Sequence, residues 1–345
     1  MRDWVSPLTC ALMTCASLLA MPGAAVAEDL QLQPGIFSDP EFNPTVSTGA
    51  SISRVSGAAH EYVFSNNGAY TTSRLDWQIN DVTMLNASVG IRLTPWVAFQ
   101  LSGGTKLTGE SKLDDYDWVF KGMDWSHWSD SPQTTITEAN RVDVSGNLSL
   151  FRHPNFTLDA IGGVRWNQWG FEAYGGHYIY SSSLTDPTKF RDTVGDLPGS
   201  EPGIRYKQNL ITPYLGLQLN LMFDRFAFDA SVAASPFSSA HDYDEHFLRG
   251  LLFQGSFHNG NYVDYKLGGS WQYSDKLSFA GNWEREQYSL DKGSTTINAI
   301  AVSKAGDPVF VNGTGGTGLG VTAGKSAGFD NFTDRFSLGV VYSLY

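Results

Sequence analysis

Charge is sparse in this sequence, and two short acidic stretches stand out: Asp114-Asp115-Tyr116-Asp117-Trp118 and His241-Asp242-Tyr243-Asp244-Glu245-His246. In extended chain, residues two apart share a face. Asp115 therefore points with Asp117, and Asp242 with Asp244 and His246. A carboxylate beside an imidazole fixes its tautomer and stabilises its cation, which is what Asp244 offers His246. Two adjacent carboxyls do not both ionise cheaply, so Asp115 and Asp117 could share a proton and hold a water. A water activated by histidine attacks a carbonyl without any Ser or Cys nucleophile. The same residue types would also suit a cation, with His241, Asp242, Asp244 and His246 as N and O ligands, or Asp114, Asp115 and Asp117 for Ca²⁺. A third reading is a solvated acidic rim. Residue type and spacing leave all three open.

Composition narrows the setting. The 345 residues are 17% charged and 13% aromatic, with a net charge of −12. So negative a chain is a poor nucleic-acid partner, and so aromatic a chain is not disordered. Residues 1–27 read as an export signal, with Arg2, an apolar stretch from Leu8 to Met21 and a small-x-small end at Ala25-Val26-Ala27. Both cysteines, Cys10 and Cys15, lie inside it. Residues 28–345, read as one domain, are then free of thiol nucleophiles, Cys-based zinc sites and disulfides. Such a chain must be held by an extensive core or a closed sheet.

The elements that must carry these acids are strands. Apolar and polar residues alternate with period two, as in Leu215, Leu217, Leu219 and Leu221 against Gly216, Gln218 and Asn220. Ten segments are predicted, over 48–64, 74–93, 97–118, 137–152, 156–176, 203–223, 226–247, 253–273, 277–296 and 330–345. Thr94-Pro95-Trp96, His153-Pro154-Asn155, Asp224-Arg225 and Ser274-Asp275-Lys276 make tight connections, whereas the others are longer and polar. Short turns on one side and long loops on the other predict an all-β, ten-stranded antiparallel transmembrane β-barrel with long extracellular loops. No apolar run outside the N-terminus is long enough for a helical span. Trp77, Trp96, Trp166, Trp169, Trp271 and Trp283 suit interfacial girdles. Both acidic stretches fall at the long-loop ends of their segments, where closure would bring them to one cleft. The glycine-rich run 312–318 matches no phosphate-cradling motif and is expected to be a disordered loop without chemistry.

The sequence resembles the omptin family of outer-membrane aspartyl-type proteases over nearly all of residues 28–345. The matching pieces include Leu75-Asp76-Trp77, Asp115-Tyr116-Asp117-Trp118, Gly175-Gly176-His177-Tyr178-Ile179-Tyr180, Phe190-Arg191-Asp192, Tyr206-Lys207-Gln208 and Asp242-Tyr243-Asp244-Glu245-His246. The resemblance implies a metal-independent endopeptidase at the extracellular barrel mouth, cutting basic peptides or proteins next to basic residues. Its catalytic couple falls on Asp115 and Asp117 and its Asp–His pair on Asp244 and His246. Its pocket for a basic side chain falls on Glu61 and Asp242, and Asp130 and Ile204 match the other side of the bond. The resemblance implies no metal and no cofactor, although the family binds lipopolysaccharide as an activating outer-membrane lipid. Here that motif is not preserved: its positions carry Val164, Trp166, Gln168, Asn209 and His258. Arg165 and Lys207 are expected to alternate with them and face inward. A monomer with no nucleic-acid partner is expected. The competing readings are a non-enzymatic adhesin using the long loops, a metal-binding barrel, or a pore, the last set against the 16–18 strands of general porins.

Overall fold

The computed structural model describes residues 43–344 apart from 66–67, 121, 184, 303–307, 312–319 and 321; the export signal and the glycine-rich run 312–318 lie outside the described residues. The strands are β1 (Thr45–Phe64), β2 (Thr71–Arg92), β3 (Val97–Asp117), β4 (His127–His153), β5 (Phe156–Tyr174), β6 (His177–Tyr180), β7 (Thr193–Asp196), β8 (Pro202–Phe223), β9 (Phe226–His246), β10 (Leu251–Gln272), β11 (Leu277–Val302), β12 (Pro308–Val311) and β13 (Thr322–Ser343). Ten of them form an antiparallel ring in the order β1-β2-β3-β4-β5-β8-β9-β10-β11-β13. The ring closes through β1 and β13, paired from Ser47↔Ser343 to Val63↔Ala327. Closure leaves no strand edge unpaired in lipid. The hairpin β6–β7 extends β4 through Trp128↔Ile179, and β12 pairs with β11.

One half of the barrel presents an apolar band to the outside, including Ile52, Phe99, Val144, Leu217 and Leu338, with Leu215 76% exposed. Such a belt is stable against lipid, not water. The tight turns predicted at 94–96, 153–155, 224–225 and 274–276 bound this half. Beyond the band the strands continue as a paired wall that carries the acidic stretches. β4 begins at His127, well before the predicted 137; its first ten residues are mostly polar, include Pro132 and show no regular apolar alternation. Trp77 and Trp169, predicted in the girdle, are instead packed inside the barrel: Trp77 lies 5.2 Å from the ring of Phe171 and 5.4 Å from that of Tyr206.

The lumen is only partly filled. Nearest the tight turns is a polar cavity of about 310 Å³. Above it Arg165 meets Asp143 at 2.7 Å and Asp264 at 3.1 Å, and also bonds Glu286, while Arg141 grips Glu284 with both nitrogens at 2.6–2.7 Å. Two apolar clusters lie above, one around Trp77 and Phe171, the other around Tyr262 and Phe329. They form the floor of the acidic cleft.

β-bulges decide which side chains reach that cleft. On β9, Phe226, Phe228 and Val232 face lipid, and an unbroken strand would send Asp242, Asp244 and His246 to the same face. The pairing with β10 slips between Ser235 and Ala240, where Pro236 and Phe237 are both exposed. Pro236 donates no hydrogen bond and is tolerated at a bulge. After it the even-numbered residues point inward, and Asp242, Asp244 and His246 are buried. β3 reverses in the same way beside Leu107, opposite the bulge at Asp81 of β2, which has φ 51°.

Candidate active site

Backbone pairing places Glu61, Leu75, Asp115 and Ser129 in one inward row across β1 to β4. The next row outward pairs Asp117 with His127. Across the barrel, Asp244 pairs with Tyr206 and Phe253, and His246 with Ile204. The imidazole Nε2 of His246 lies 2.6 Å from Asp244 Oδ2, and its ring meets Phe253 edge-on at 5.2 Å. Asp242 is held deeper. Its Oδ1 accepts the backbone N–H of Gly255 at 2.6 Å, and its Oδ2 accepts the Tyr206 hydroxyl at 3.2 Å. Gln208 donates to that hydroxyl at 3.0 Å.

The two acidic stretches thus act on one another across a single cleft. Burial, reinforced by the charge of Asp117, pushes the Asp115 carboxyl up to about 8, while the charge of His246 opposes the rise. Burial pushes Asp242 up to about 7, with Asp244 adding to it. Burial also lifts Glu61 well above the usual carboxylate range, followed by the charges of Asp244, Asp242 and Asp115. For His246 burial works against the cation, but Asp244 outweighs it and the imidazole is more basic than usual. Glu61 Oε2, Asp115 Oδ1 and Asp244 Oδ1 are buried acceptors with no hydrogen-bond partner in the protein. Buried acceptors of this kind are satisfied by a donor from outside, such as water, an amide or a cationic side chain.

The residues predicted for the site do not all converge. Asp115, Asp117, Asp244, His246, Glu61 and Asp242 do, and Ile204 lies in the row of His246 against the apolar cluster. Asp130 is on the opposite face of β4 from Ser129. Its Oδ1 accepts the backbone N–H of His177 at 3.0 Å, and its Oδ2 lies 3.7 Å from Lys112. His127 occupies the inward position on β4 instead; a register slip between β3 and β4 near Pro132, invisible in the sequence, sets this parity. Lys207 was expected inward but faces out, bridging to Glu138 at 2.8 Å; it has the same parity as Asn209 and so shares its face. Arg165 does face inward. His241, offered above as a metal ligand, turns from Asp242 and meets the ring of His258 at 6.3 Å. Among the described residues no three His, Asp or Glu side chains are arranged to hold a metal ion.

A closed ten-stranded barrel with a lipid-facing band and an acidic, histidine-bearing mouth defines an outer-membrane protein with a candidate hydrolytic site. The chain belongs to the Omptin family, whose profile matches residues 42–343. Similar proteins include the outer membrane protease OmpP of Escherichia coli (strain K12), 29% identical over 76% of this chain and 86% of that protein. The plasminogen activator of Yersinia pestis is 27% identical over 85% of this chain and 89% of its own length. The fold matches the crystal structure of the outer membrane protease OmpT from Escherichia coli with a TM-score of 0.76, at 23% identity, covering 87% of this chain and 96% of that one.

Proposed function

We infer that this chain is an outer-membrane endopeptidase that hydrolyses peptide bonds beside basic residues, with water as the nucleophile. The observation that carries the reading is the meeting of Asp115 and Asp117 from β3 with the 2.6 Å Asp244–His246 pair from β9. The tight turns of such barrels face the periplasm, so the cleft opens to the exterior.

His246 takes a proton from a water held against Asp115 and Asp117, and the hydroxide oxygen bonds to the scissile carbonyl carbon. Asp244 keeps the imidazole oriented and stabilises its cation. The protonated member of the Asp115–Asp117 couple donates a hydrogen bond to the developing oxyanion. As the tetrahedral intermediate collapses, the C–N bond breaks and the imidazolium returns its proton to the leaving amine. Glu61 and Asp242 receive an Arg or Lys side chain, whose charge draws both carboxyls into their ionised forms. An acidic mouth also concentrates cationic peptides, an effect that added salt weakens.

The test is cleavage of a peptide containing Arg-Arg or Lys-Lys by the refolded barrel. Cleavage should persist in chelator and disappear in Asp115→Asn and His246→Ala. Activity that is lost in EDTA and restored by a metal would overturn the mechanism.

A further inference from the structure

Asp242 is buried, yet it must carry charge to receive a basic side chain. Two donors reach it, the Gly255 N–H at 2.6 Å and the Tyr206 hydroxyl at 3.2 Å. Burial opposes the carboxylate, and both donors favour it. A phenol has one hydrogen and could turn it elsewhere. Gln208 prevents that. Its Nε2 lies 3.0 Å from the Tyr206 oxygen, and an amide nitrogen only donates. The hydroxyl therefore accepts from Gln208 and spends its own hydrogen on Asp242. The carboxylate is the stronger acceptor, which sets the direction of the chain. Tyr206 and Gln208 are both 0% exposed, and Gln208 pairs with Asp242 across β8 and β9. The Tyr206 ring stacks on Trp77, with 5.4 Å between centres and 10° between planes. The other ionisable groups acting on Asp242 are Asp244 on its own strand and Glu61 on β1, while β10 faces it with the Gly255 amide.

We propose that Gln208 and Tyr206 are positioning residues for the pocket that takes the basic side chain: Gln208 orients the Tyr206 hydroxyl, and the hydroxyl holds Asp242 as a carboxylate. The proposal rests on the endopeptidase reading and deepens it. The pair acts on binding and not on the attacking water, because His246 takes its orientation from Asp244. Without the hydroxyl Asp242 keeps one donor, and burial and Asp244 push its carboxyl above its present value of about 7. It then stays protonated over more of the pH range and offers less charge to an arginine. In the complex the bound cation itself draws the proton off. The loss therefore falls on KM and fades as pH rises.

The experiment measures KM and kcat near pH 6.5 and near pH 9 for one Arg-containing peptide, whose guanidinium is charged at both. It compares the refolded wild type with Tyr206→Phe, Gln208→Met and the double variant. Tyr206→Phe keeps the ring that stacks on Trp77. It should raise KM about tenfold over wild type at the lower pH, by clearly less at the higher, with kcat changed less than KM. Gln208→Met should shift KM the same way by about threefold. In the Tyr206→Phe background it should change nothing further, because the oxygen it serves is gone. A KM ratio that is equal at both pH values overturns the proposal, and so does a fall in kcat matching the rise in KM, since loosened packing would do either. Additive single effects overturn it as well, because Gln208 would then act by another route. Should Tyr206→Phe not refold, the pH dependence of Gln208→Met decides alone. A wild type that cuts the peptide at neither pH removes the endopeptidase reading itself, a result distinct from any outcome in the variants.

Discussion

The Oδ1 of Asp242 sits 2.6 Å from the backbone nitrogen of Gly255, and a Cβ on Gly255 would lie 2.2 Å from that same oxygen. The glycine is there because the carboxylate occupies its side-chain space. Gly255→Ala should expel Asp242 from its cradle and raise KM for Arg-containing peptides about tenfold, by roughly 1.4 kcal/mol of lost binding. The rate at saturation should change less, since His246 and Asp115 do not depend on that contact. Steady-state kinetics with one basic peptide decides the split.

Asp244 makes the His246 cation more favourable, so the imidazole is protonated at higher pH than a free one. The base must be neutral to accept a proton, and activity should rise with pH along an acidic limb set by this group. Asp244→Asn removes the anion, so the limb should move to lower pH. With the imidazole no longer held or stabilised, kcat should fall on the order of 10²–10⁴-fold. A pH–rate profile of both proteins checks the direction. An unmoved limb would show that another group controls it.

Asp115 binds its proton far more tightly when folded, at about 8, than in unfolded chain. The sign of the linkage follows. Its contribution to stability is fully present below about pH 3.9 and is lost as pH rises through 8. Asp115→Asn should therefore leave urea stability unchanged near pH 3.5. At pH 9 it should raise it by roughly a few kcal/mol. A residue that hydrolysis needs would then be one the fold is better without at high pH.

Outside the barrel, where the family's lipid contacts fall, an amide ladder crosses four strands. Thr105 bonds Asn140 at 2.7 Å, Asn140 bonds Gln168 at 2.9 Å, and Gln168 bonds Asn209 at 3.0 Å. These side chains satisfy one another and carry no charge for a phosphate. Lys207 beside them is neutralised by Glu138. Lipopolysaccharide added to the detergent-refolded protein should change peptide cleavage less than about fivefold, because one uncharged surface hydrogen bond is worth only about 1 kcal/mol. A protein inert until the lipid is supplied would contradict this.

Much of this was legible in the sequence. Period-two alternation marks the lipid-facing halves because one face there must be apolar. Two-residue spacing correctly grouped Asp115 with Asp117, and Asp242 with Asp244 and His246. The parity of those groups was not legible. It depends on bulges at Pro236, Leu107 and Asp81, and a bulge is a property of two paired strands, not of one segment. For the same reason His127 was missed and Asp130 put forward: one register slip near Pro132 reverses which of them faces in.

The wall that bears Asp115 and His246 is paired backbone, interrupted only by bulges, down to the lipid-facing half, and the turn after His246 is stitched to its neighbour. Jaws made this way resist opening, because each move would break backbone hydrogen bonds. On the endopeptidase reading, a folded target is expected to bring a segment already unravelled, so that its own local looseness is sorted before any side chain is read.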